Sequence, residues 1–517
     1  MTRHKIFALS IVALGIGLTA CTKLDEKLGS TITKEQADSV IKVPALLKTA
    51  YDALQLPYQD QSNFWALCEM TTDEAVAPTR GGDWDDNGVW RALHAHAWTP
   101  DHTHVNDAFN NILTLEFAAT NVLNFSPSAS QAAEARFLRA FAMFSVLDGW
   151  NQVPYRQPGD TLLNAPKVLV GNDALTFIIS ELEAIIADLP AGPPTTPAYI
   201  ANKAAAKVLL MKCYLNKGSF ANREAPTFDP ADMTKVVTLA DEIISTGNYS
   251  LANNFYDNFA YNNDVISTEN IFTQQNGPGL STARGGNSSF CRWAPTLHYN
   301  QRPSGWNGFS TLSDFYDKFE AVDTRRGAAY TGVTNVSGLR VGLLVGQQFD
   351  QTGKELQDRK GNKLAFTREL LLQETGNDLE IKGIRVVKYP PDFVTLNGTN
   401  SNNASNDYVF FRYADVLLMK AEALLRNNGA AAALTIVNNV RTKRGATALT
   451  SLDLDKMIDE RGREFYWEGW RRQDLIRFGK FLLPWQLKPT DDKKYLLFPI
   501  PANAKAVNKN LTQNDGY

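Results

Sequence analysis

Three stretches of this chain carry side chains whose type and spacing can do chemistry. Asp83-Trp84-Asp85-Asp86-Asn87-Gly88 places oxygen ligands at alternate positions with glycine sixth, the opening of a calcium loop. Such a loop needs a bidentate glutamate at its twelfth position, where this chain has His94, and an Asx-rich turn explains the same residues. His94, His96, His102 and His104 offer zinc-type ligands. Histidines two apart share a face only on a strand, however, and in a His-x-His-x-Asp-His run the acid position falls on Trp98. Glu460, Glu464 and Glu468 form an i, i+4, i+8 stripe that would put paired carboxylates on one helix face, as a general acid and base require. Arg461, Arg463, Arg471 and Arg472 interleave with them, and an arginine beside a carboxylate lowers its pKa, the wrong direction for a general acid. A salt-bridged network tying this helix to its neighbours is the expectation. The chain has no Gly-x-Ser-x-Gly elbow, His-Glu-x-x-His pair or P-loop. We therefore expect neither catalysis, nor a metal centre, nor a cofactor.

Aromatic residues point to binding. Trp84 sits among Gly81, Gly82 and Gly88, in a loop where a core-filling role is hard to arrange. The polarised C–H groups on one face of a sugar ring sit well on the electron-rich face of an indole. Asp83, Asp85 and Asn87 stand beside that indole to take hydroxyls. Trp65 and Trp98 read as core. A second stretch, 276–311, is dense in Gly, Ser, Asn, Arg and aromatics without helical period. Long irregular segments in compact proteins are usually functional or disordered, and this aromatic content argues against disorder. The expected platform is Trp84, Trp293, Tyr299 and Trp306, with Asp83, Asp85, Asn87, Arg284, Asn287 and Arg302 as polar partners.

The elements that must hold these loops are helical. In 410–479, Leu417, Ala421 and Leu424 form one apolar row and Ala414, Leu418 and Leu425 a second, so the first helix there packs on two sides. Gly429 sits where a helix-ending residue of positive φ is wanted. The next helix starts at once, runs inward through Ala433, Ile436 or Val437 and Val440, and ends at Gly445. This αα-hairpin has tetratricopeptide size, about 34 residues. A third helix is expected across Glu460 to Gly479. Further helices are expected over 33–56 with a break at Pro44, over 105–125, 130–150, 172–189, 201–217 and 231–246, and again over 310–319. Gly383 to Tyr389 reads as a short strand. The fold class is mainly α, a tetratricopeptide-like stack of helical hairpins with long irregular loops and a few short strands.

The 517 residues are 44% hydrophobic and 21% charged, ordinary for a globular protein with a large core. Lys+Arg 52 against Asp+Glu 55 leaves a formal charge of −3, and no basic patch interleaves with aromatics, so no nucleic-acid partner is expected. Arg3, His4 and Lys5 lead an apolar stretch that is too short to span a bilayer and closes on Leu18-Thr19-Ala20-Cys21. That sequence looks like a bacterial lipobox. Residues 1–20 are then a lipoprotein signal peptide, and Cys21 becomes the acylated first residue of the mature chain. Cys68, Cys213 and Cys291 remain, an odd set without regular spacing; Cys68 and Cys213 read as buried thiols.

Several of these features occur in the order of one family. Phe411-Arg412-Tyr413-Ala414-Asp415 with Ala421-Glu422-Ala423, Asn439-Val440-Arg441, Glu460-Arg461 through Glu468-Gly469 and Asp474-Leu475 resemble the C-terminal signature of the SusD/RagB family. The run from Ala135 to Ala142 into Gly149-Trp150-Asn151-Gln152-Val153-Pro154 is similar to its N-terminal hallmark, and Phe498-Pro499-Ile500-Pro501 with Leu511 to Tyr517 to its terminus. The resemblance implies a nutrient-binding lipoprotein of the Gram-negative outer membrane. It also implies a cell-surface position, to which Thr22-Lys23-Leu24-Asp25-Glu26 adds an export-signal likeness. Its task would be to capture an oligosaccharide and pass it to a SusC-type TonB-dependent transporter. RagB-like members are associated with peptides, so a peptide ligand is the alternative, and a glycoside hydrolase a more distant one. Residues 21–517 would form a single domain with an N-terminal helical part (21–250), a loop-rich insert (251–407) and a C-terminal helical part (408–517).

Overall fold

Helices form where the sequence supplies a cap and an apolar face. The computed structural model describes residues 42–278, 280, 289–395 and 404–517. The expectations for Cys21, Arg284 and Asn287 lie outside the described residues. Helix α1 (Val43–Asp52) carries Pro44 in its first turn, where the missing N–H costs no hydrogen bond, so no mid-helix break arises there. Short helices α2 (Phe64–Glu69) and α3 (Val89–His94) lead into the long helices α4 (Thr103–Val122) and α5 (Ala129–Trp150). Helix α5 opens with a capping box. Gln131 N donates to Ser128 Oγ at 3.3 Å, and Ser128 N donates to Gln131 Oε1 at 3.1 Å. From Ala133 to Trp150 every residue of α5 except Arg136 is buried. A helix apolar on all sides must be wrapped, and α1, α4 and α6 (Asn172–Ile185) do so.

The stack continues through α7 (Lys203–Ala221), α8 (Pro230–Ile244), α9 (Tyr413–Arg426) and α10 (Ala430–Lys443), each packed on the next. Asn202 caps α7 by accepting from Ala205 N at 3.0 Å, and Asp229 caps α8 ahead of Pro230. Between α9 and α10 the left-handed residue is Asn428 (φ 63°), whereas Gly429 has φ −95° and starts α10. The tight hairpin is as expected, but the positive φ sits one residue earlier.

The third C-terminal helix is two helices, α11 (Leu454–Phe465) and α12 (Arg471–Arg477). The chain turns at Trp467 (φ 61°) and Gly469 (φ 84°) because buried acids from α2 and its exit capture the turn. Gly469 N donates to Glu69 Oε1 at 2.5 Å, Trp467 N to Glu74 Oε2 at 3.2 Å, and Trp467 Nε1 to Glu74 O at 3.2 Å. Ser310 to Phe319 is helical only over Ser313–Tyr316, because residues 310 and 311 bridge Val76 and Ile384 as extended chain.

Strands are few and short. Asn270–Gln274 pairs antiparallel with Tyr408–Arg412, Arg385–Val387 with Val341–Leu344, and Thr79–Arg80 pairs parallel with Gln373–Glu374. These pairings staple the loop-rich middle of the chain to the helices.

The glutamate stripe is structural. Arg412 Nη1 and Arg444 Nη2 donate to Glu464 Oε1 at 2.6 and 2.8 Å, and Arg325 Nη1 donates to its Oε2 at 2.8 Å. Glu460 accepts from Arg325, Arg441 and Arg463. Glu468 accepts from Arg412 and Lys388. Burial alone would raise Glu460 and Glu464. The guanidiniums win, pulling Glu460 to about 2 and Glu464 well below the ordinary range. Held ionised this way, Glu460 and Glu464 cannot donate a proton near neutral pH.

Candidate functional site

The loop 81–88 is held in a shape that few L-residues adopt. Trp84, Asp86 and Asn87 have φ of 61°, 39° and 56°, beside Gly81 at 67° and Gly88 at 78°. Left-handed non-glycine residues cost roughly 1–3 kcal/mol each and persist only where surroundings over-determine them. Here the surroundings do. Arg80 and Asp83 exchange backbone hydrogen bonds of 2.9 and 3.1 Å across the turn. Arg91 Nη1 donates to Asp85 Oδ1 at 2.6 Å, and Trp90 Nε1 donates to Asp86 Oδ2 at 2.7 Å. The Asx-rich turn is what these residues make; among the described residues no three His, Cys, Asp or Glu side chains converge as a metal set.

A second loop meets the first. Trp306 N donates to Ala294 O at 2.7 Å, Asn307 N to Leu297 O at 2.8 Å and Gly308 N to Pro295 O at 2.7 Å, so residues 293–309 fold back on themselves. Arg80 clamps the two loops together, donating to Gly308 O at 3.2 Å and Ser310 Oγ at 3.1 Å. Trp84 Nε1 donates to Trp306 O at 2.9 Å. The Trp84 ring leans on Trp90 and Phe309, with centroids 5.7 and 5.0 Å away, and Trp306 packs edge-on to Phe290 at 5.3 Å. Trp84 and Trp306 are half-buried, with centroids 6.5 Å apart and planes tilted by 36°. Their backs are packed, and both line an open cleft of about 590 Å³.

Asn87, Asp86, Gln61, Ser62, Thr103 and His104 supply the polar part of that cleft. Behind the lining, two buried polar atoms lack a partner among the described residues, Gln61 Oε1 and His104 Nε2. His104 is buried, its ring centroid 4.5 Å from that of Trp90. Burial, reinforced by His102, drops its pKa to about 4, so it is neutral at physiological pH. Apolar ring faces with a few convergent hydrogen-bonding groups make a ligand site of ordinary size.

The structure brings together part of what the sequence suggested. Trp84, Trp306 and Asn87 line the cleft. Asp83 and Asp85 hold the loop, Asp83 by accepting from Tyr299 OH at 3.0 Å. Trp293 is a correction. It is 1% exposed and packs against Phe290, because the turn that starts at Ser289 aims it inward, so it offers no face to a ligand. Tyr299 does not line the cleft, and Arg359 stands over its ring, 3.9 Å from the centroid. Arg302 is exposed, reaches Val336 O at 3.4 Å and lies over Phe393, away from the cleft.

Sequence reasoning missed Gln61, Ser62, Asp86 and Thr103 as lining residues; they come from three separate places in the chain, and only Asp86 lies in a stretch with a local signature. His104 was visible only as a metal-type residue. The other histidines serve the fold. His94 bonds Ala75 O and Gln486 O, His96 bonds Thr71 O and faces Asp491 at 2.6 Å, and His102 bonds Val89 O. Cys68, Cys213 and Cys291 are buried thiols outside any disulfide. No helix among the described residues is long and apolar enough to cross a membrane.

Comparison with known proteins agrees with the signature residues. A model of the SusD family matches residues 268–493. The chain is 25% identical to the starch-binding protein SusD of Bacteroides thetaiotaomicron, covering 99% of this chain and 98% of that protein. It is 26% identical to SusD-like protein P25 of Formosa agariphila, covering 87% of this chain and 82% of the relative. Among solved structures, a SusD superfamily protein from Parabacteroides distasonis superposes with a TM-score of 0.71 at 18% identity, covering 92% of this chain and 98% of the other. Surface glycan-binding protein A of B. thetaiotaomicron, solved with laminarihexaose, superposes with a TM-score of 0.68 at 19% identity, covering 91% and 98%. Signature, full-length likeness and fold agree: the chain resembles the SusD/RagB family over nearly all of its length.

Proposed function

We propose that this protein is a cell-surface lipoprotein, tethered to the outer membrane through Cys21, that captures an oligosaccharide and delivers it to a SusC-type TonB-dependent transporter. The observation that carries the reading is the pair of half-exposed indoles, Trp84 and Trp306, braced from behind and sharing one cleft with Asn87 and Asp86. Each indole takes the C–H face of one sugar ring, and the neighbouring polar groups take its hydroxyls. The starch-binding name of one relative and the laminarihexaose in one structural neighbour support a glycan as ligand. The fate of the α11 acids supports binding without turnover: those carboxylates are consumed by buried arginines. Residues 21–517 then act as one domain, its helical hairpins a rigid mount for the two loops.

The test is calorimetric titration of the protein against a panel of oligosaccharides, with Trp306→Ala beside the wild type and circular dichroism as a check on folding. We expect binding to one glycan class and its loss in a folded Trp306→Ala protein. Undiminished affinity in that variant would remove the site, and release of shorter products from any glycan would overturn the binding-only role.

A further inference from the structure

The charge of the cleft selects among glycans, an inference that rests on the capture reading above. Among the described residues, no lysine or arginine lines the cleft. Its one ionisable acid, Asp86, is exposed, with Oδ2 engaged by Trp90 Nε1. Asp83 and Asp85 sit on the same loop, and Glu380 joins Asp83 through Arg359. The cations nearby are already spent. Arg91 serves Asp85 and Thr79, and Arg359 is held by Glu380 at 2.6 Å with Asp83 at 3.9 Å. Asp83, Asp85, Asp86 and Glu380 thus stand around the indole pair with Arg91, Arg359 and Arg80, the last held by Leu379 O, Gly308 O and Ser310 Oγ, and among the described residues none of these cations lines the cleft.

We infer that the cleft is selective for uncharged oligosaccharides and rejects chains bearing uronate or sulfate groups. A hydroxyl can donate to Asp86 or accept from Asn87, so a neutral sugar satisfies both. A carboxylate at a ring carbon brings a like charge to within roughly 5 Å of Asp86, and even with solvent screening that repulsion weakens binding by about tenfold.

The experiment compares matched ligands: the tightest neutral oligosaccharide from the panel and the same chain with its primary hydroxyls oxidised to carboxylates. Both are titrated into the wild type, Asp86→Asn and Trp84→Ala. Asparagine tolerates the left-handed backbone at position 86 and still accepts from Trp90. We expect the oxidised ligand to bind about tenfold more weakly and the gap to narrow in Asp86→Asn, with neutral affinity insensitive to added salt. Equal or tighter binding of the oxidised ligand, abolished by Trp84→Ala, would overturn the selectivity while leaving glycan capture intact. Binding of neither would overturn the capture reading and this inference with it.

Discussion

Gly308 offers a test of the platform that leaves every proposed ligand contact chemically unchanged. A Cβ at this position would stand 2.3 Å from Trp84 Cε2, 2.5 Å from Cζ2 and 2.7 Å from Nε1. Non-bonded carbons sit at about 3.5–4.0 Å, so in Gly308→Ala the indole must retreat by about 1 Å or more. Its hydrogen bond to Trp306 O, 2.9 Å long, is lost, at about 1 kcal/mol. Overpacking against Phe309 and Trp90 adds about 1–3 kcal/mol of destabilisation. For the ligand, one misaligned ring face forfeits roughly 0.5–1.5 kcal/mol. The displaced loop also moves Asn87, so we expect affinity to fall by about tenfold or more, since 1.4 kcal/mol is a factor of ten. Gly82→Ala is the matched control: a Cβ there meets nothing within 4 Å. Calorimetry measures affinity, and denaturant unfolding separates loss of binding from loss of fold. If folded Gly308→Ala binds as tightly as the wild type, the position of the Trp84 ring does not matter to the ligand and the stacking argument fails.

Three other outcomes follow from the same structure. Trp84→Phe keeps a ring on Gly308 but loses the Nε1 donor to Trp306 O, so it should bind more weakly than wild type yet better than Trp84→Ala, as read by calorimetry. Arg412→Met leaves Glu464 and Glu468 each short of a buried partner and should destabilise the fold by about 3–5 kcal/mol in denaturant unfolding. Stability should also peak in mildly acidic solution. Burial holds Glu116 and Asp407 at about 7, above their ordinary values, so the stability they lend is full below those values and drains as pH rises through about 7. Despite burial, arginines pull Glu460 and Asp474 down to about 2, so their contribution is present above the unfolded carboxylate range and is lost as pH falls toward about 2. Thermal unfolding across pH checks both arms, and Glu116→Gln should flatten part of the decline on the alkaline side.

Local pattern was enough to place most helices. Rows such as Leu417, Ala421 and Leu424 act within a turn or two of chain, and the structure forms α5, α7, α8, α9 and α10 close to where local periodicity points. That the glutamate stripe would be salt-bridged was also legible, but its partners were not: of the interleaved arginines only Arg463 pairs with it, and the other cations, Arg325, Lys388, Arg412, Arg441 and Arg444, come from elsewhere in the chain. The break between α11 and α12 was not legible either, since the groups that capture it, Glu69 and Glu74, lie some four hundred residues away.

The same distinction divides the site. The sequence by itself determined that indoles would stand in glycine-rich loops beside Asp and Asn, because a tryptophan flanked by Gly81, Gly82 and Gly88 has no helix or strand in which to hide. Only the tertiary structure decided which indoles serve. Trp293 and Trp306 lie in one loop with similar neighbours, yet one turn buries the first while the carbonyl of the second receives the Trp84 N–H. Exposure depends on what the rest of the chain packs behind a ring, and that packing is a sum of long-range contacts with no local signature.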